Sequence, residues 1–186
     1  MKSKFLDQKI KYTGEQLRPL FAYIEHDLLG DSVVAWIGAC DVDLKHMKDG
    51  EDLKANQQIR GDQMVHFILE VFDTELFGAV ALQRLLTATA KDILAQMGNE
   101  SSRKLVREGD DLFLNDQKLS ISVAVKTQTS CMIHFALNCV NDGTPVKTCS
   151  LKDLGVSPVE FANKVLNTLA EEVLSIQEAR KKVFPA

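Results

Sequence analysis

The chain has 186 residues, 45% hydrophobic and 26% charged, which is the composition of one globular domain, so we treat residues 1–186 as a single domain. Its net charge of −4 arises from 26 acidic and 22 basic residues spread along the whole length, which argues against nucleic acid as a partner. The longest apolar run, Val33 to Cys40, is far shorter than the ~20 residues that cross a bilayer, and the first residues do not resemble a signal peptide, so we expect a cytoplasmic protein without a membrane partner.

The first half of the chain alternates between helical spacing and short apolar runs that are rich in β-branched residues. These patterns predict a helix over Thr13–Gly30, a central strand over Val33–Ile37, a strand over Gln63–Phe72 and a helix over Thr74–Met97. The polar segment 41–59 lacks a sustained period and is predicted to be a long loop. Loops of that length in compact domains are often functional.

The second half of the chain is typical of an antiparallel meander followed by a helix. Its patterns predict a hairpin over Leu105–Leu114, strands over Lys118–Lys126 and Ser130–Val140, and a helix from a Ser157 cap to about Lys182. Together the two halves predict an α+β fold in which a mixed, largely antiparallel sheet packs on helices.

Three of the predicted strands separate their side chains by parity into a core face and a second face. The predicted core faces are Val65, Phe67, Leu69 and Val71; Leu119, Ile121, Val123 and Val125; and Cys131, Ile133, Phe135, Leu137 and Cys139. The opposite faces carry His66, Lys118, Ser120, Ser122, His134 and Asn138. This second face is either a solvated sheet surface or the floor of a cleft in which small residues leave room for a ligand.

From Arg60 onward the order of motifs resembles the lipoyl (octanoyl) transferases of the biotin and lipoate protein ligase superfamily. The motifs are Arg60-Gly61-Asp62-Gln63 with His66, the lysine-led strand Lys118-Leu119-Ser120-Ile121-Ser122, the strand His134-Phe135-Ala136-Leu137-Asn138, and Cys149. As a whole the chain also resembles the domain of unknown function family 366. The resemblance implies the biotin/lipoate protein ligase-like fold, which is related to class II aminoacyl-tRNA synthetases.

The resemblance also implies roles for individual residues. Cys149 would carry an acyl group as a thioester, and Lys118 would assist proton transfer. The substrate pocket would be formed by Arg60, Gly61, Gln63, His66, Ser120, Ser122, His134 and Asn138. The sequence departs from the transferase motifs at Asp62, Phe67 and Phe135, which stand where that family has glycine, so the substrate geometry must differ.

Three functions remain open from the sequence, the third of which is an assembly subunit that binds no small ligand. The first is acyl transfer, with a small-molecule acyl or carboxylate ligand presented on a carrier protein. The second is a non-catalytic module on the same fold that binds a carboxylate, nucleotide or other cofactor. The four cysteines contain no C-x-x-C pair, so we expect thiols and no metal site. A homo-oligomer is a further expectation, and no particular cofactor is implied.

Overall fold

The computed structural model describes residues 1–184, which form an α+β fold with one large and one small sheet. The strands of the large sheet are β1 (Lys2–Phe5), β2 (Ser32–Val42), β3 (Ile59–Val71), β7 (Ser120–Lys126) and β8 (Cys131–Asn138). Their order is β1-β2-β3-β8-β7, and β1 is parallel to β2 while the other neighbours are antiparallel. The small sheet contains β4 (Val106–Glu108), β5 (Asp111–Leu114) and β6 (Gln117–Lys118). The predicted fold class is therefore confirmed.

Two long helices cover one side of the large sheet, which we call the helix face. They are α3 (Leu76–Met97) and α4 (Pro158–Ala179), and both agree with the sequence prediction. The Ser157 hydroxyl caps α4 by accepting a hydrogen bond from the Glu160 N–H, as the capping pattern predicted. The predicted hairpin is also present, with Glu108 paired to Asp111 across its turn. No helix among residues 1–184 is long and apolar enough to cross a membrane.

The sheet is buried on both sides. On the helix face, Phe67 and Phe135 lie in a core with α3 and α4. On the opposite side, which we call the cleft face, a second core contains Trp36, Met132 and Tyr12. The N-terminal segment covers this second core, since the Trp36 Nε1–H donates to the Ile10 carbonyl at 2.8 Å. The interpretation of the second face as a freely solvated surface is therefore wrong.

The predicted helix over Thr13–Gly30 is mostly irregular. The observed helix α1 covers only Phe21–His26, because Leu20 adopts a left-handed conformation with φ of 62° immediately before it. The segment predicted as a loop, 41–59, contains a 3-10 turn at Leu44–His46 and a short helix α2 at Gly50–Ala55.

The parity assignment for the predicted strand Lys118–Lys126 is confirmed for Leu119, which lies in the helix-face core, but is wrong from Ser120 onward. Ser120 pairs directly with Leu137 and Ser122 with Phe135, both of which point into the helix-face core. The Ser122 hydroxyl accepts a hydrogen bond from Gln83 of α3 at 2.8 Å. Ser120 and Ser122 therefore point toward the helices, whereas Ile121, Val123 and Val125 pack against the second core. The assignments for β3 and β8 are confirmed, since their predicted core residues lie in the helix-face core or, for Val71 and Cys131, in a small cluster with Ala79 of α3.

Candidate functional site

Two adjoining cavities lie where segment 42–59 crosses the cleft face of the sheet, and we call them the acidic and the basic compartment. They enclose about 180 Å³ and about 110 Å³, respectively. Asp52, Ile59, Lys118 and Ile121 line both. The compartments therefore form one cleft, with Lys118 and Asp52 at the boundary between its two parts.

The basic compartment combines two cationic side chains with an apolar lining. Arg60 and Lys118 supply the positive charge, while Met64, Ile121 and Val146 supply apolar surface. Asn138 also lines this compartment, but its side-chain amide donates to the backbone carbonyls of Lys118 and Cys149. A ligand with an anionic head and an apolar body matches this arrangement.

Lys118 is held from both sides of its backbone and through its side chain. Its N–H donates to the Lys147 carbonyl, and its own carbonyl accepts from the Cys149 N–H. The Nζ atom lies 2.8 Å from an oxygen of Asp111. Burial raises the pKa of the Asp111 carboxyl, and the nearby Lys118 ammonium opposes that rise. The ammonium is thus anchored at the cleft wall with one carboxylate partner.

Carboxylates outnumber cations in the acidic compartment. Its lining includes Asp49, Glu51, Asp52, Asp110 and Asp111. Asp49 caps α2 through the N–H groups of Glu51 and Asp52, and Asp110 accepts from Gln83 and Arg84. Burial raises the pKa of the Asp52 carboxyl, and the neighbouring Asp49 raises it further. Asp52 is therefore a partly desolvated acid at the boundary of the two compartments.

His66 and His134 form a directly hydrogen-bonded pair behind the acidic compartment. The Nε2 of His66 lies 3.2 Å from the Gly38 carbonyl, which can only accept, so we assign the proton to that nitrogen. The Nδ1 of His66 then accepts from the Nε2–H of His134 at 3.1 Å. Tyr12 stacks on the His134 ring with centroids 3.7 Å apart. The pair is thereby fixed in one neutral tautomeric arrangement.

The histidine pair should make stability depend on pH. Burial lowers the pKa of His66 to about 4, and burial together with His66 holds the pKa of His134 well below its ordinary value. Each imidazole is neutral when folded but binds a proton when unfolded below about pH 6.5. Its contribution is therefore complete above that pH and declines as the pH falls toward the folded pKa.

We expect the free energy of unfolding, measured by urea titration, to fall between about pH 6.5 and 5. The slope should approach about 1.4 kcal/mol per pH unit for each imidazole that must gain a proton on unfolding. Histidine ring NMR signals should show both His66 and His134 still neutral at about pH 5.5. A free energy of unfolding that stays constant or rises over this interval would contradict the arrangement.

The cleft brings together only some of the residues that the sequence singled out. Arg60, Lys118, Ser120, Ser122, His134 and Asn138 lie at its walls, and His66 lies directly behind His134.

The arginine motif itself is not gathered at one point. Gly61 is buried opposite Cys40 of β2, and Gln63 is exposed in a separate groove beside Lys9. Neither residue lines the two compartments.

Ser120 lines the basic compartment and Ser122 the acidic one, but both hydroxyls are already hydrogen-bonded within the protein. The Ser120 oxygen accepts from the Leu112 N–H at 2.9 Å, and the Ser122 hydroxyl donates to the His134 carbonyl at 3.0 Å. These bonds hold the strand to the small sheet and to its neighbour, and the role of the two serines in substrate binding stays a prediction.

Cys149 lies in the helix-face core, where only 1% of its surface is exposed. Its thiol donates to the Gln117 carbonyl at 3.5 Å, and burial raises the pKa of the thiol to about 11. A thiolate is the reactive form of cysteine, so this environment disfavours nucleophilic attack. The geometry therefore does not support the thioester role that the resemblance implied.

Several cleft residues were not singled out from the sequence. Tyr12 belongs to the irregular N-terminal segment, and no local pattern indicated that it would cover His134. Asp52 lies within the long segment 41–59, whose length was the only available signal. Asp111 lies at the turn of the predicted hairpin, and that position does not indicate that it pairs with Lys118.

Comparison with known proteins identifies relatives over the full described length. The family model of the domain of unknown function DUF366 matches residues 1–184. An uncharacterized protein of Methanocaldococcus jannaschii is 31% identical over 97% of this chain and 83% of its own length. A solved structure of a protein of unknown function from Pyrococcus horikoshi is 36% identical, with a TM-score of 0.93, covering 100% of this chain and 98% of that chain.

More distant solved structures share the fold. A point mutant of the biotin protein ligase from Aquifex aeolicus, in complex with biotin, gives a TM-score of 0.61 at 14% identity over 96% of this chain and 72% of that one. A protein from T. acidophilum, described as a putative lipoate protein ligase with bound lipoic acid, gives 0.58 at 12% identity over 94% and 87%. At these identities the likeness shows the fold alone.

Proposed function

The chain belongs to the DUF366 family, and from the geometry of its cleft we propose that it binds a small carboxylic acid with an apolar body. The basic compartment carries the proposal: Arg60 provides positive charge beside an apolar lining, and Lys118, whose ammonium is paired with Asp111, lies at the same wall. A carboxylate forms strong hydrogen bonds with guanidinium and ammonium groups, and the apolar body of the acid would contact Met64, Ile121 and Val146.

The related folds support this class of ligand. The structures from A. aeolicus and T. acidophilum hold biotin and lipoic acid, each of which has a carboxylate at the end of an alkyl chain. Binding without chemistry is the function that the described residues support best, because the Cys149 thiol is buried outside the cleft.

The apolar lining should make binding depend on the length of the alkyl chain. Each fully buried methylene contributes about 0.8 kcal/mol, so octanoate should bind about tenfold more tightly than hexanoate in isothermal titration calorimetry. Biotin and lipoate can be compared in the same series.

Arg60→Gln should weaken octanoate binding by about tenfold or more, because a hydrogen bond to a charged group contributes about 1.5–3 kcal/mol. Arg60 is exposed, so the fold should not change. Arg103→Gln is the matched control, since Arg103 is also exposed and lines neither compartment. Equal octanoate affinity in wild type and Arg60→Gln would refute the proposed carboxylate site.

Acyl transfer through Cys149, from a carrier protein, is a second candidate. One observation favours it: the Cys149 N–H donates to the carbonyl of Lys118, so the two residues are adjacent. Its test is incubation with octanoyl carrier protein followed by intact-mass measurement. An octanoyl adduct that Cys149→Ser removes would support transfer, and no adduct would leave binding as the function.

A further inference from the structure

Two almost fully buried side chains that line the acidic compartment each carry a polar atom without a hydrogen-bond partner in the described part of the chain. Tyr12 and His134 are each 3% exposed and both line this compartment. Because Nε2 of His134 donates to His66, Nδ1 is left as a lone-pair acceptor, and it has no hydrogen-bond partner among residues 1–184. The Tyr12 hydroxyl likewise has none within that range, although the Tyr12 backbone pairs with Cys40. Because both residues line the compartment and these two atoms are not engaged by the protein, a polar ligand group in the compartment would complete their hydrogen bonds.

The charge of the compartment indicates which kind of group this is. Arg84 neutralises Asp110, and Lys118 neutralises Asp111. Asp49, Glu51 and Asp52 remain, and Lys48 is the other cation of the lining whose charge is permanent. Excess negative charge beside an imidazole lone pair favours a group that is both positively charged and a hydrogen-bond donor.

We infer that the acidic compartment binds the cationic nitrogen of the ligand, as an ammonium or amidinium group that donates to His134 Nδ1 beside Asp52. This inference rests on the proposed function, because the two compartments share one cleft. The ligand is therefore an amino-substituted carboxylic acid whose anionic end lies near Arg60 and whose cationic end lies near His134.

The direction of the hydrogen bonds in the histidine pair explains why the ligand group at His134 must be a hydrogen-bond donor. The Gly38 carbonyl requires the proton of His66 to be on Nε2, so Nδ1 of His66 accepts a hydrogen bond from Nε2–H of His134. Nδ1 of His134 therefore carries no proton. Burial keeps the pKa of His134 well below its ordinary value, so the ring retains its lone pair at neutral pH. A second acceptor, such as a further carboxylate, would have no proton to bind at Nδ1.

The test compares ω-amino acids of four to eight carbons with the unsubstituted acids of the same length, measured by calorimetry. At the best chain length, the ω-amino acid should bind at least about tenfold more tightly than the plain acid. Asp52→Asn should reduce that ratio to about threefold or less, whereas Asp92→Asn, an exposed control on α3, should keep it.

Tyr12→Phe is a second variant that separates binding from folding. It removes a hydroxyl without a protein partner among residues 1–184, so its melting temperature should equal or exceed that of wild type. The same variant should lower the ratio of the two affinities. A large loss of stability would show that the hydroxyl is satisfied within the protein and would overturn its assignment to the ligand.

The outcomes distinguish this inference from the function on which it rests. Equal binding of ω-amino acids and plain acids, with Arg60→Gln still weakening both, would overturn only the cationic subsite. A melting temperature that rises with MgCl2 or ZnCl2 alone, and does so only while Asp52 is present, would replace the organic cation with a metal. Failure of every acid to bind at millimolar concentration, together with failure of octylamine, would overturn both proposals.

Discussion

Ser120→Leu should destabilise the protein by about 2–6 kcal/mol, because it overfills the helix-face core and removes the acceptor of a buried N–H. Ser120 is completely buried, and its oxygen accepts from the Leu112 N–H at 2.9 Å. For a chain of this size the melting temperature should fall by roughly 10 °C. Calorimetric melting of the purified variant measures this change.

Two companion variants identify the cause. Ser120→Ala removes only the hydrogen bond and should cost about 1–3 kcal/mol. Ile121→Ala removes a half-buried side chain from the cleft face. Its effect on the free energy of octanoate binding should therefore exceed its effect on the free energy of unfolding. If Ser120→Leu melts like wild type while Ile121→Ala is strongly destabilised, Ser120 points into the cleft and Ile121 into the helix-face core, and the cleft is wrongly assigned.

Glu70→Ala should be the other severe change, costing about 3–5 kcal/mol, because it removes a buried carboxylate that holds two parts of the chain together. Glu70 is 2% exposed. Both of its oxygens lie 3.0 Å from the Leu20 N–H, and one accepts from the Ser130 hydroxyl at 2.7 Å. Loss of the carboxylate leaves both donors buried without an acceptor.

The melting temperature of Glu70→Ala should fall by about 10 °C, while Glu172→Ala, an exposed control on α4, should change it little. Hydrogen exchange should also accelerate in α1, which begins next to Leu20. Glu70→Gln keeps one acceptor oxygen and should lie between wild type and Glu70→Ala. Equal melting of Glu70→Ala and Glu172→Ala would show that Leu20 and Ser130 do not depend on this carboxylate.

The helices and strands with regularly spaced apolar residues were predictable from the sequence, because the spacing of apolar residues matches the side of the element that is buried. Helices α3 and α4 lie close to their predicted limits, and the alternation in β3 and β8 assigned His66 and His134 to the non-core face of each strand. The structure adds that these two strands are neighbours. Two histidines on one face of neighbouring strands are close enough to interact, and they do so at 3.1 Å.

Parity did not predict the core face of β7 because both faces of this strand are at least partly covered. Apolar Ile121 and Val123 pack against the second core, while the hydroxyls of Ser120 and Ser122 are satisfied by specific hydrogen bonds on the helix face. A polar residue with a buried partner cannot be distinguished from an exposed one by periodicity alone. The partners of these hydroxyls belong to the small sheet, to α3 and to β8, all of which lie outside β7 itself.

The N-terminal segment was misassigned for a related reason. Its apolar residues have helical spacing, yet they fill the second core from an irregular path that Gly14 and Leu20 allow through positive φ angles. The contacts that determine this path, from Trp36 to Ile10 and from Glu70 to Leu20, are long-range. Tyr12 reaches the cleft only through this packing, so the acidic compartment could not be derived from local sequence.

Chemical-shift mapping with octanoate tests the central claim most directly, since it reports where an acid binds without requiring any activity. Titration into isotope-labelled protein should shift the amides of Arg60, Lys118, Ile121 and Val146, with saturation, and should leave the exposed residues of α4 unchanged. Shifts confined to the separate groove beside Arg18 and His26, or no shifts at millimolar octanoate, would contradict the proposed site.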